Sequence, residues 1–222
     1  MNRPLSLNMG FVVIAPVGDN LDAFFIGMKE FATEKVYLIT PENYLKKANS
    51  LQKKLDVFSI PVKIIKVKGS LMESMFSSFG EICSLHDNDN ILVNVATGDR
   101  LSTCAALSAA FANGLKAFGI MDKKPMLLPI MKLSYYQELS ESKLKIMMNL
   151  LSDEYTYLSE LNKKTGMSIS LLSYHINGTL RYKGLLAFRL VEVKEKNKNL
   201  LVKLSDLGKL LLKGYISCEK KK

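Results

Sequence analysis

Asn90-Ile-Leu-Val-Asn-Val-Ala-Thr-Gly-Asp-Arg-Leu-Ser-Thr-Cys-Ala-Ala-Leu-Ser-Ala-Ala-Phe-Ala-Asn-Gly114 decides the fold. Ile91 to Val95 is a short apolar, β-branched run, as expected of a strand covered on both faces in a parallel sheet. Ala96-Thr97-Gly98-Asp99-Arg100 then breaks the run with small, turn-forming residues. From Leu101 to Ala112 the chain is rich in alanine and leucine, strong helix formers of small cross-section. Asn113-Gly114 ends that helix, since both residues tolerate the left-handed conformation. Strand, glycine turn and close-packed helix make one half of an α/β unit. Turn amides and the helix start suit an anion, and Arg100 adds a forked, permanent charge that matches phosphate. A plain structural role competes with this reading: most such turns bind nothing, and Thr97 or Asp99 can simply cap the helix.

The preceding sequence repeats the rhythm. Met9 to Val17 reads as a first strand and ends in Pro16-Val17-Gly18-Asp19-Asn20. Asp19 or Asn20 is expected to cap a helix from Leu21 to Thr33, with Leu21, Phe24, Phe25, Met28 and Phe31 at helical spacing. Lys35 to Thr40 is a second strand, and Pro41 suits the first turn of a helix reaching Val57. Val62 to Val67 is a third strand, followed by a helix from Ser70 to Leu85. Lys116 to Met121 makes a fifth strand and Met126 to Ile130 a sixth, hairpin-like partner. Strands alternating with helices of this length predict a Rossmann-like α/β fold, its mostly parallel sheet flanked by helices.

After Leu133 the rhythm changes. A helix from Ser140 to Leu151 has Leu144, Met147, Met148 and Leu151 at core spacing. A shorter one spans 156–164, and Thr165-Gly166-Met167 turns the chain. Ser168 caps a third helix reaching Lys183, with Ile169, Leu172, Ile176 and Leu180 as anchors. Leu185 to Glu192 and Leu200 to Leu204 pair around Lys194-Glu-Lys-Asn-Lys-Asn199. Asp206 to Ser217 closes the chain as a helix. Three helices with a glycine turn and then a β-hairpin predict a small winged helix-turn-helix. The expected domains are therefore 1–134, the Rossmann-like α/β domain, and 135–222, the winged helix-turn-helix expected to bind DNA.

Charge supports that division. The net charge is +10. Residues 1–138 hold 15 Lys/Arg against 13 Asp/Glu, whereas residues 139–222 hold 16 against 8. A basic domain at one end is an electrostatic footprint for a polyanion. On the third helix, Ser168, Ser170, Leu171, Ser173, Tyr174, Asn177, Arg181 and Lys183 are candidate contacts to bases and phosphates of double-stranded DNA. Lys194, Lys196 and Lys198 at the hairpin tip suit backbone or minor-groove contact.

Other classes lose ground. No apolar run approaches a membrane span, so a cytoplasmic protein that engages no membrane fits. Cys83, Cys104 and Cys218 are odd in number and lack zinc-site spacing; Cys83 and Cys104 read as buried small hydrophobes within helices. With only His86 and His175 in the chain, a histidine-based metal site or triad has little material, and no metal or bound cofactor is expected. The first turn lacks the GxGxxG of dinucleotide dehydrogenases, and a P-loop is absent.

The fourth-strand turn, Asn94-Val95-Ala96-Thr97-Gly98-Asp99-Arg100, followed by a small-residue helix, resembles the CRISPR-associated Rossmann-fold (CARF) domains. With the helices and hairpin behind it, the whole chain resembles the archaeal CARF–winged-helix transcriptional regulators. Asn94, Val95, Ala96, Gly98 and Arg100 match that family's turn; Thr97 stands where Gly is common. Asp99 departs from it, since a carboxylate beside phosphates repels them unless it caps the helix or holds a ribose hydroxyl. The resemblance implies a homodimer whose paired turns (Ala96, Thr97, Gly98, Asp99 and Arg100) bind a cyclic oligoadenylate, the tetra-adenylate foremost, in antiviral defence. Val17, Gly18, Asp19 and Asn20 would line the same pocket. It further implies that this effector modulates DNA binding through the 140–151 helix. Paired winged helices then predict a palindromic site with half-sites about 34 Å apart. Two alternatives stay open. One is a ring nuclease in which Thr97 and Arg100 act on the ligand's ribose and phosphate, although no general base is placed by sequence. The other is a regulator sensing a different small molecule.

Overall fold

The computed structural model describes residues 10–129, 139–152, 154–196 and 199–219. They divide into two compact units, 10–129 and 139–215.

In the first unit, β1 (Phe11–Pro16), β2 (Thr33–Thr40), β3 (Val62–Lys66), β4 (Ile91–Asn94) and β5 (Lys116–Met121) form parallel pairs. β6 (Lys124–Leu127) folds back antiparallel on β5. The six strands lie in the order β3-β2-β1-β4-β5-β6. This is a mostly parallel α/β sheet flanked by helices, and its strand order reverses between β1 and β4. Open sheets of this kind place ligands at that reversal, beyond the carboxyl ends of the strands.

α1 (Asp22–Met28) and α2 (Leu45–Asp56) cover one face. Phe24 of α1 and Ala48, Leu51 and Leu55 of α2 pack with Val13, Ala15, Val36 and Leu38. Strand periodicity turns Val12 and Ile14 to the opposite face, where α3 (Leu71–Cys83) packs beside α4 (Arg100–Ala112). Met75, Phe79 and Ile82 of α3 are fully buried. Tyr37 is buried at the centre of β2, and its hydroxyl meets His86 Nε2 at 2.9 Å.

Several boundaries differ from the sequence reading. α1 stops at Met28, because the chain turns through Gly27–Phe31 and Phe31 packs on Phe11 and Phe118. Neither Asp19 nor Asn20 caps α1; Leu21 holds that position with no side-chain bond. Pro41 precedes a single tight 3₁₀ turn, Glu42–Tyr44, before α2 begins. Cys104 is exposed on α4, not buried, while Cys83 is half-buried.

In the second unit, α5 (Glu141–Met148) is capped by Ser140, whose hydroxyl accepts from the Lys143 amide. β7 (Thr156–Tyr157) leads into α6 (Leu158–Thr165), which ends at Gly166 with φ 72°. α7 (Ile169–Asn177) follows, then β8 (Val191–Lys196), β9 (Asn199–Leu204) and α8 (Asp206–Glu219). The three strands form an antiparallel sheet ordered β7-β9-β8. Leu144, Ile146, Met147, Leu150, Leu158, Leu161, Leu172, Ile176, Leu185 and Leu190 build the core.

Three readings of this unit need correction. Thr156 and Tyr157 are strand, not helix. α5 ends at Met148 rather than Leu151 and buries Ile146; Leu150 just beyond it is buried, while Leu151 is exposed and Met148 half-buried. The third helix ends at Asn177, not Lys183. Gly178 takes φ 78°, a conformation costly for any residue with a Cβ. The chain then loops back so that the Leu185 and Leu186 amides donate to the His175 and Ile176 carbonyls. Leu180 therefore falls beyond the helix and is exposed, Ile169 at the first turn is exposed too, and of the four expected anchors Leu172 and Ile176 are buried. Lys198 and the transition at 133–138 lie outside the described residues.

His175 is buried on α7, its Nδ1 3.2 Å from the Tyr182 hydroxyl. Burial, then the charge of Lys143, pushes its pKa below the ordinary 6.5. Burial and Lys35 do the same to His86, against an opposing pull from Glu34. Both groups resist protonation in the folded chain, so below pH 6.5 the unfolded chain binds protons first and stability falls with pH. Urea midpoints measured at about pH 7.5 and about pH 5.5 should show the loss. His175→Gln with His86→Gln should flatten it; a midpoint rising toward acid contradicts this account.

Candidate functional site

The two central turns of the first unit meet at the reversal of strand order. Thr97, fully buried, donates its hydroxyl to the Pro16 carbonyl at 2.7 Å, tying the end of β4 to the end of β1. Buried Asn94 accepts the Ala96 amide at 3.0 Å and so shapes the start of the turn. Thr103 of α4 donates to the Val95 carbonyl at 2.9 Å. Gly18 lies so close to the second turn that a Cβ there would run into the Asp99 nitrogen and the Gly98 carbonyl carbon. Glycine at 18 is therefore a packing requirement.

Asp99 opens α4. Its carboxylate accepts the Ser102 amide at 2.8 Å, as a helix cap does. Of the two roles left open for this residue, capping is the one seen; the negative charge is turned to its own helix. The amides of Gly98, Asp99, Arg100 and Leu101 donate to no atom among the described residues. Helix starts leave such donors free, and the helix dipole adds positive potential there. Arg100 is exposed, with no hydrogen bond or ion pair among the described residues. Ser102, buried in the first turn of α4, has a hydroxyl with no partner among the described residues.

The predicted lining residues thus sort by position. Arg100 stands exposed at the turn, with Ala96 and Gly98 half-buried beside it. Asp19 and Asn20 are exposed at the end of β1. Val17 and Thr97 are fully buried and hold the scaffold, and Gly18 does the same through its backbone.

Two residues that the sequence reading missed complete the site. Lys47 of α2 places its ammonium 3.3 Å from the Gly18 carbonyl oxygen and 3.3 Å from Asp19 Oδ1. Tyr44 donates to Asp19 Oδ1 at 3.2 Å, and the Lys47 ammonium lies 4.9 Å from the Tyr44 ring centre. Partial desolvation, then the bond to Asp19 and the charges of Asp19 and Asp99, raises the Tyr44 phenol pKa above its ordinary value. The signal for these residues was three-dimensional: Lys47 is one of several lysines on an amphipathic helix, and only the fold brings it to Gly18.

In the second unit, Ser170, Leu171, Tyr174 and Asn177 are exposed on α7. Ser168 is committed as its cap, accepting the Leu171 amide at 3.2 Å. Ser173 accepts from Asn177 Nδ2 at 3.0 Å. Arg181 and Lys183 are exposed on the loop after α7 rather than on the helix, because Gly178 ends it. That loop stays against the helix, for Tyr182 stacks on Tyr174 with centroids 4.6 Å apart and planes 9° from parallel. Lys194 and Lys196 are exposed at the β8 end of the hairpin. Among the described residues there is no group of three or more His, Cys, Asp or Glu placed to hold a metal ion. No described helix is long and apolar enough to cross a membrane.

The family model described as HFX_2341_N:-like, N-terminal matches residues 11–124, just over half of the chain. The chain belongs to that family. The match takes in both turns, α2 and β1 to β5, and stops at the first residue of β6. No curated protein matches the chain. Among solved structures it is similar to Can2 from Sulfobacillus thermosulfidooxidans in complex with cyclic tetra-adenylate, at 13% identity and a TM-score of 0.44, covering 92% of this chain and 62% of that one. Protein VC1899 from Vibrio cholerae is similar at 10% identity and a TM-score of 0.44, with 95% and 66% covered. A type III CRISPR defence DNA nuclease activated by cyclic oligoadenylate is similar at 14% identity and a TM-score of 0.48, with 85% and 36% covered. The chain spans less than two thirds of the length of each.

The packed turns give a direct stability test. Gly18→Ala should force the β1 and β4 turns apart and cost about 1–3 kcal/mol in chemical denaturation, the usual penalty for overpacking. An unchanged midpoint contradicts the close approach.

Proposed function

We propose that this chain is a ligand-responsive DNA-binding regulator whose first unit senses a cyclic oligoadenylate. The observation that carries the reading is the meeting of two turns at the strand-order reversal, with unpartnered amides, a helix start and exposed Arg100 at one point. Phosphate is the group such an arrangement suits: amides supply short-range donors, and the guanidinium supplies a forked charge. The resemblance of Asn94–Arg100 to the CARF turn narrows the anion to a ring of adenylates. A two-fold ring fits a two-fold protein, so the sensing form is a homodimer with paired turns.

The second unit is read as a winged helix. Support comes from a capped α7 with exposed Ser170, Tyr174 and Asn177, and from Arg181 and Lys183 held beside it by the tyrosine stack. The hairpin carries Lys194 and Lys196, and the charge excess of residues 139–222 suits a duplex backbone. Ligand and DNA influence each other only if the ligand binds two arrangements of the protein unequally.

Arg100→Ala should abolish stabilisation by cyclic tetra-adenylate in a thermal shift assay and leave binding of duplex DNA intact. Arg181→Ala should do the reverse, with a shallower salt dependence of DNA binding. If both variants bind DNA as the parent does, the assignment of the α7 face and its loop is wrong. If neither alters the ligand shift, the turn is not the site.

A further inference from the structure

We propose that Lys47 is a ligand-binding residue of the same site, held until the ligand arrives by Asp19, whose carboxylate occupies the place of a ligand phosphate. This rests on the reading of the first unit as a phosphate sensor. Lys47 belongs to α2, not to either turn, yet its ammonium sits 3.3 Å from the Gly18 carbonyl. Gly18 in turn is packed on the Gly98–Asp99 peptide. Gly18 thereby touches both the cation and the peptide whose amide opens α4.

The contacts of Lys47 are those of a charge awaiting a partner. Its ion pair with Asp19 spans 3.3 Å, with the side chains 47% and 68% exposed. Pairs this exposed contribute little to stability and open readily. The same carboxylate oxygen also accepts from Tyr44. Asp19 Oδ1 therefore gathers two donors in the geometry that a phosphate oxygen would use. An incoming phosphodiester competes for both donors, and the displaced Asp19 carboxylate turns to water. Asp19, which the sequence placed among ligand contacts, is on this account the ligand's rival.

Opposite effects from two neighbouring residues follow. Removing the cation weakens binding; neutralising the rival strengthens it, and only while the cation is present. Isothermal titration of cyclic tetra-adenylate into the full chain tests this with Lys47→Met, Asp19→Asn and the double variant. Lys47→Met should bind about tenfold more weakly, the scale of one charge-assisted hydrogen bond. Asp19→Asn should bind about threefold more tightly, and the double variant should match Lys47→Met alone. Thermal melts check that each variant folds, which their exposed positions favour.

Single variants within twofold of the parent would overturn the inference and leave the sensor reading standing. Tightening by Asp19→Asn that persists without Lys47 would also overturn it, because Asp19 would then repel the ligand directly. A parent protein that does not bind cyclic tetra-adenylate at all overturns both the inference and the reading beneath it.

Discussion

The structure depends on a close approach of two backbones. The end of β1 and the start of α4 touch through Gly18 and the Gly98–Asp99 peptide, and the Thr97 hydroxyl fastens them with its bond to Pro16. No side chain at position 18 fits that contact. Parallel strands side by side bring the two turns to the same end of the sheet, at the strand-order reversal where open sheets of this kind bind their ligands. Everything chemical in the first unit is arranged around this contact. Asp99 turns its charge into its own helix, Arg100 stands free, and Lys47 reaches in from α2.

Much of the sheet was legible because β-branched runs between turn residues have few other readings. Lys116 to Met121 was bounded to the residue, and the small residues of Asn94–Arg100 marked the turn between β4 and α4. Ser168 was legible as a cap because the hydroxyl-bearing residue stands directly before the apolar period, and Ser140 and Ser205 do the same work at the starts of α5 and α8. Ser205 accepts the Gly208 amide at 3.0 Å.

What sequence could not supply was local competition between elements. Leu180 and Arg181 continue the spacing of α7, so periodicity extended the helix, yet Gly178 ends it in a conformation that no pattern of apolar residues reports. Phe31 fitted α1 by spacing but is needed against Phe118, and that tertiary demand overrode the helix. Thr97 was read as a ligand contact because it sits in the turn; its burial beneath the turn is visible only in three dimensions. Lys47 was invisible for the converse reason, since one lysine among many on α2 acquires meaning only when Gly18 is placed beside it.

A sensor joined to a DNA-binding unit acts through a free-energy difference, and that difference is reciprocal. The most direct measurement is the affinity for cyclic tetra-adenylate with and without saturating duplex DNA carrying a bound half-site pair. The account predicts that the two affinities differ, and that saturating ligand changes the DNA affinity by the same factor and in the same direction. Identical affinities in the two conditions would contradict it, for the two units would then bind their partners independently.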